Sequence, residues 1–204
     1  MPEFFQALQS KLKVQKHEII DQIEGHAIDI VLFPTDFSRK FSILSTSGLS
    51  NFTMPLRAEE ENQPHIELCF ALPSYWDLKF DSKNSRWVLD KLKFLCEFVL
   101  NKQTHYWDGH TMPNANPNRP FSKTMMQNYL LFSKSILYED ELTSVQMGDK
   151  TVYLLFLIPL FQKELEHKHA RGTNAIKKKL VNANIGEILD DFRAVVIKKR
   201  FGIF

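Results

Sequence analysis

The stretch His65-Ile-Glu-Leu-Cys-Phe-Ala-Leu-Pro73 decides the fold. Ile66, Leu68, Phe70 and Leu72 alternate with His65, Glu67, Cys69 and Ala71, and a period of two sends the two sets to opposite faces of a β-strand. The first set is apolar throughout and asks for a core. The second mixes polar and small residues, and the whole reads as a buried strand. Pro73 has no backbone N–H to give a ladder and ends the strand.

Outward from this strand the chain mixes helix and strand signals. Towards the N-terminus, Phe4, Phe5, Leu8 and Leu12 recur at helical spacing and predict a helix over residues 3–14. Strands are expected at 17–23, 26–34 and 41–46, punctuated by Glu24-Gly25 and closed by Pro34 and by the turn Ser47-Gly-Leu-Ser50. Residues 57–64 are charged and read as an exposed connection. Towards the C-terminus, Trp87, Leu89, Leu92, Leu95, Phe98 and Val99 make an apolar stripe and predict a helix over 86–102, with Lys91, Lys93 and Glu97 off the stripe. Residues 103–123 hold Pro113, Pro117 and Pro120 and predict a long irregular loop. Such a loop seldom survives in a domain without a function or packing of its own. Strands follow at 127–137 and 151–159, joined across 139–150. The second is apolar on both faces and belongs at the centre of the sheet. Helical patterns at 160–170, 173–183 and 185–197 complete the chain.

The 204 residues suit one domain, with 44% hydrophobic residues, 25% charged residues and 17 Phe. That many large rings need a substantial core and argue against disorder. A net charge of +2 is too small to point to nucleic acid. The basic runs Lys177-Lys-Lys179 and Lys198-Lys-Arg200 read as solvated faces. Cys69 and Cys96 sit among apolar neighbours and read as small buried hydrophobes of a reducing compartment. Met1-Pro-Glu-Phe-Phe5 lacks a basic stretch followed by a long apolar run, so no signal peptide is expected there. Val152 to Phe161, the longest apolar stretch, falls short of the roughly 20 residues that span a bilayer. A cytoplasmic protein is therefore expected, with no membrane partner.

Four groups of residues carry candidate chemistry. His65, Glu67 and Cys69 share one strand face and have the types of metal ligands, but spacing supplies no fourth ligand. The simpler account is that one face of a strand carries them by chance. In Trp107-Asp-Gly-His110, Asp108 and His110 could form an acid–base pair. Alternatively, the polar side chains of a long loop satisfy its own backbone groups. Gly48 with Ser45, Thr46, Ser47 and Ser50 could cradle a phosphate, though a turn with hydroxyl caps fits better in the absence of any glycine-rich fingerprint. Glu164, Glu166, His167 and His169 follow no metal-helix pattern and read as a solvated helix face. No cofactor and no resident metal are expected.

Several phrases, in order, make the chain resemble the suppressor of fused family in its single-domain bacterial form. They are His26-Ala-Ile-Asp-Ile30 with Pro34-Thr35, Ile43-Leu-Ser-Thr-Ser-Gly-Leu-Ser50 with Met54, and Glu67-Leu68 through Leu72-Pro73 with Trp76. Then come Trp87 opening a helix with Leu92, Gly109-His-Thr111 with Asn114, and Ile158-Pro-Leu160 with Glu164 and Gly172. Leu49 stands where the family often has Met, and Cys69-Phe-Ala71 varies its aliphatic strand. The resemblance implies an α+β domain with a mixed, curved sheet and packed helices, here residues 1–204 with a core at about 17–172 and C-terminal helices at 173–197. It also implies a protein partner and no catalysis. Animal members hold a transcription factor of the Hedgehog pathway through an extended peptide taken between two domains, of which this chain matches the first. For bacterial members it implies immunity proteins that neutralise toxins.

The expected function is thus a non-enzymatic protein-binding domain. Its contact surface is expected on the 103–123 loop, where Tyr106, Trp107, Asp108, His110 and Arg119 include residue types favoured at interfaces. For Trp107, packing onto the sheet competes with that role. The alternative is a metal-dependent or acid–base hydrolase using Asp108 and His110, with Glu67 or His65 nearby. A third reading is a dimerising structural protein with its aromatic surplus at the subunit interface.

Overall fold

Eight strands form one open mixed sheet in a computed structural model that describes residues 3–34, 40–55, 65–78, 83–138 and 142–197. The strands are β1 (Glu18–Gln22), β2 (Asp29–Phe33), β3 (Phe41–Ser47), β4 (Ile66–Pro73), β5 (Thr111–Pro113), β6 (Tyr129–Ser133), β7 (Ser144–Met147) and β8 (Lys150–Leu160). The order is β1-β2-β3-β4-β8-β6-β5, and β7 pairs with the first part of β8. All pairings are antiparallel except β4 with β8. The helices are α1 (Glu3–Leu12), α2 (Lys83–Lys102), α3 (Gln162–Arg171) and α4 (Thr173–Asn182), with a 3-10 turn at Leu49–Asn51. The fold class is α+β, as expected.

Strand alternation divides the core in two. Ile66, Leu68, Phe70 and Leu72 of β4 and Leu155 and Leu157 of β8 face α2, where Val88, Leu92, Leu95 and Val99 meet them. Cys69 and Ala71 join Val152, Leu154, Phe156 and Ile158 on the other face, covered by Phe4, Phe5 and Leu8 of α1 and by Ile176 and Leu180 of α4. Burying each such side chain fully contributes roughly 1.5–3 kcal/mol. β4 is therefore buried on both faces, Glu67 included. β8 lies centrally, as its two apolar faces require.

Local chemistry sets the ends. Lys13 takes a left-handed φ of 55° and stops α1 short of residue 14. Trp87 stacks on Phe121 at 4.6 Å and meets Trp76 edge-on at 6.2 Å, which ties α2 to the loops on either side of it.

Three expectations need correcting. A strand, β7, lies in the stretch read only as a connection across 139–150, joined to β8 by the two-residue turn Gly148-Asp149. Within the predicted irregular loop, β5 pairs with β6. Residues 185–197 form no helix. The Leu189 N–H donates to the Ala71 carbonyl and Ile188 bridges Ala71 in parallel, so the segment lies along β4 as a strap. These sheet and side-chain bonds replace the helical ones, and Phe192 stays 77% exposed. The connection expected at 57–64 and the basic run at 198–200 lie outside the described residues.

Candidate functional site

The loop after α2 is built by its own polar groups. Asp108 Oδ1 accepts from the Lys134 backbone N–H at 2.8 Å and from Lys177 Nζ at 2.5 Å, which fastens the loop to the end of β6 and to α4. Gly109 has φ 93°, and a Cβ there would lie 2.9 Å from Thr173 Oγ1. Its N–H donates to the Phe132 carbonyl at 2.7 Å, and the Phe132 N–H donates to the His110 carbonyl at 2.9 Å. The Asn114 side chain donates to the carbonyls of Arg119 and Pro120, each at 3.0 Å. Lys91, expected on the polar side of α2, is buried. Its ammonium donates to the Asn114 carbonyl at 2.8 Å. Desolvation and then nearby Arg119 draw the Lys91 pKa down.

The five residues expected at the contact surface divide accordingly. Tyr106 is buried, stacked on Phe132 at 4.5 Å, with its hydroxyl donating to the Leu95 carbonyl. It supports the loop from below and offers no contact surface, because its ring completes the core against β6. Asp108 is committed to Lys134 and Lys177. Trp107 is half-buried under the Lys134 ammonium, 5.4 Å from the ring centroid. His110 is half-buried with its ring 5.2 Å from that of His105, and Arg119 is exposed. A cavity of about 320 Å³ opens beside His110, lined by Phe98, His105, Phe132 and Lys168 among others. His105 and Lys168 were not foreseen. The histidine adjoins the aromatic pair Tyr106-Trp107 in sequence, but only the packing of α3 brings Lys168 to it.

The strand-face trio resolves differently. Glu67 accepts from Thr46 Oγ1 at 2.6 Å and from the N–H groups of Gly48 and Ser50 at 2.9 and 3.0 Å. The turn that looked like an anion cradle thus closes on a carboxyl group supplied by the chain itself. Burial raises the Glu67 pKa, against those donors, which lower it. The Cys69 thiol, bonded to Ser45, is pushed up to about 12 by burial. His65 Nδ1 faces the Ser50 carbonyl at 2.9 Å. Cys69 and Cys96 are both free and buried. Among the described residues no group of three or more His, Cys, Asp or Glu is placed to hold a metal ion, and no helix is long and apolar enough to cross a membrane.

Glu164, expected on a solvated face, is also buried. It pairs with Arg193 through two 2.7 Å contacts and accepts from the N–H groups of Phe161 and Val196, each at 2.9 Å. Helix α3 turns this residue inward to receive the strap.

The open mixed sheet with α2 on one face and α1 and α4 on the other, and the loop fastened at Gly109, define a class of α+β domain that comparison identifies. The family model "Suppressor of fused protein (SUFU)" matches residues 24–194, and the chain belongs to that family. It is similar in structure to a suppressor of fused homologue from Neisseria gonorrhoeae FA 1090, with a TM-score of 0.70 and 17% identity over 97% of this chain and 96% of that one. It is similar to a chain of a Sufu–Fu complex at a TM-score of 0.63 and 15% identity, over 95% of this chain and 90% of that one. Drosophila Suppressor of Fused aligns at 0.55 and 18% identity, over 83% of this chain and 42% of that one. No curated protein matches in sequence.

Proposed function

We propose that this chain is a non-enzymatic protein-binding domain, that its partner docks on the ordered loop at 104–121, and that its role is to neutralise a toxin by holding it. The observation that carries this reading is the division of labour in that loop. Asp108, Gly109, Asn114 and Lys91 fix its backbone, while Trp107, His110 and Arg119 keep accessible surface. Contacts on a fixed frame lose little entropy on binding. Family membership supports a protein partner, since a relative is found in a Sufu–Fu complex. The single-domain match, 97% of this chain on 96% of a bacterial homologue, fits the bacterial form of the family, for which the resemblance implies an immunity role. The hydrolase reading gains nothing from Asp108, whose carboxylate is spent on an amide and an ammonium.

The test is capture from the native host with tagged protein, beside His110→Ala/Arg119→Ala. One dominant protein, lost with the variant, is the expected result. If expressing that protein alone halts growth and this chain restores it, the immunity role stands. Capture unchanged by the variant removes the loop from the interface.

A further inference from the structure

We propose that the groove between the α3–α4 hairpin and the strap at 185–197 is a docking surface for a protein partner, and that its occupant is a segment carrying acidic and apolar side chains together. This rests on the protein-binding reading for the class of occupant and takes nothing from the 104–121 loop.

The first observation is charge. Helices α3 and α4 hold six Lys or Arg and two Glu, a net +4 in a chain of net +2, so the residues outside them sum to −2. Lys177 is paired with Asp108, and Glu164 with Arg193. Among the described residues no carboxylate pairs with Arg171, Lys178 or Lys179, all of them exposed. A surface with one sign of charge draws partners of the other sign and speeds their arrival.

The second is shape. A groove of about 1140 Å³ is lined by Arg171 and Lys179 on the helix side and by Ile185, Val196 and Ile197 on the strap side. This exceeds the roughly 300–1,000 Å³ of small-molecule sites and has room for several residues of a chain. Ile185, Val196 and Ile197 are half-buried and pack against the core layer that α1 and α4 cover. Asp190 is the one carboxylate among the described lining residues, and its Oδ1 already accepts from the Phe192 N–H at 2.9 Å. The last carbonyls of α4 accept from the N–H groups of Ala183, Asn184 and Ile185, which takes up the negative end of that helix. The third is the frame. Glu164 of α3 binds Arg193 and the Val196 N–H of the strap, so the two walls are fastened to each other and the groove is formed before a partner arrives. A merely solvated basic face needs no apolar floor, and a phosphate backbone gains nothing from one. A basic wall over an apolar floor fits a segment in which Asp or Glu flanks Leu, Ile, Val or Phe.

The test is NMR titration of the full chain with three blocked twelve-residue peptides, alternating Glu with Leu, Glu with Ser, or Lys with Leu, and with single-stranded oligothymidylate. The Glu–Leu peptide should shift the amide signals of residues 182–185 and 194–197 saturably, with an affinity that falls as salt rises. The Glu–Ser peptide lacks side chains for the floor and the Lys–Leu peptide has the wrong charge, so each should bind at least about tenfold more weakly. Arg171→Glu/Lys179→Glu should weaken the Glu–Leu peptide at least about tenfold with amide dispersion kept. If that variant unfolds, Arg171→Gln/Lys179→Gln should show a smaller loss in the same direction. His110→Ala/Arg119→Ala should leave this binding unchanged, so the groove and the loop stand or fall separately. No shift at these residues, equal binding of the three peptides, or tighter binding of oligothymidylate than of the Glu–Leu peptide each overturns the proposal. So does a dimer in light scattering that Arg171→Glu/Lys179→Glu dissociates, since the occupant would then be a second copy of this chain.

Discussion

Glu67 and Gly48 hold the 46–50 turn against β4 from two directions. Glu67 supplies acceptors for two N–H groups and one hydroxyl, all enclosed in the core. Gly48 has φ 115°, and a Cβ there would lie 2.2 Å from the Ala27 carbonyl oxygen. Gly48→Ala should therefore destabilise severely, by about 3 kcal/mol or more, since strain and a backbone clash combine. Glu67→Ala leaves three buried donors unmet and should cost about 3–5 kcal/mol by chemical denaturation, whereas Glu67→Gln keeps an acceptor and should cost less. The pH dependence has a definite sign. Burial raises the Glu67 pKa in the folded state, so the folded chain holds this proton at pH values where the unfolded chain has released it. Stability from this group is fully present below the ordinary glutamate value, falls as pH rises towards the folded-state pKa, and is level above it. The stability advantage of wild type over Glu67→Gln should thus shrink as pH rises from the ordinary glutamate value towards the raised folded-state pKa. An advantage that grows with pH would mean that the donors outweigh burial. The sequence showed Glu67 and Gly48 as odd residues in apolar surroundings. That each was the other's partner was hidden, because strand pairing brings together residues 19 apart.

At the scale of elements, the strap at 185–197 is held by buried carboxylates on either side. Glu187 accepts from the Leu137 N–H at 3.0 Å and from the hydroxyl of Ser135, and Glu164 meets Arg193 and the Val196 N–H. Removing one partner of a buried pair strands the other charge, so Arg193→Met should cost about 3–5 kcal/mol. For a chain of this length that is a fall in Tm of roughly 6–20 °C. Hydrogen exchange should speed up first at Leu189 and Val196, ahead of α2. Uniform exchange across the chain would show instead that strap and core open together. The helix expected here shows what periodicity leaves out. Ile185, Ile188, Leu189 and Phe192 have helical spacing, but the carbonyl of Ala71 offered a sheet bond in its place, and Phe192 gave up its burial. β7 was within reach of the sequence, since Gly148-Asp149 between short alternating runs is a hairpin signal.

Across the whole molecule, alternation in β4 and β8 carried most of the fold. Two apolar faces on a central strand need a layer on each side, and the stripes of α1 and α2 supply them. The candidate site was less legible. Its loop was visible from its prolines and aromatics, but the burial of Tyr106, the pairing of Asp108 with Lys177 and the arrival of Lys168 depend on how α3 and α4 pack. The account's central claim is that the 104–121 loop is a protein-binding face. It is tested most directly by the affinity of the captured partner for three forms of the chain: wild type, His110→Ala/Arg119→Ala, and Ile19→Ser on β1 at the opposite end of the strand order. All three substituted positions retain surface accessibility, so stability should stay within roughly 0.5 kcal/mol per substitution. The account predicts at least about a tenfold loss for the loop variant alone. Equal affinity for wild type and the loop variant, with or without a loss at Ile19, would contradict it.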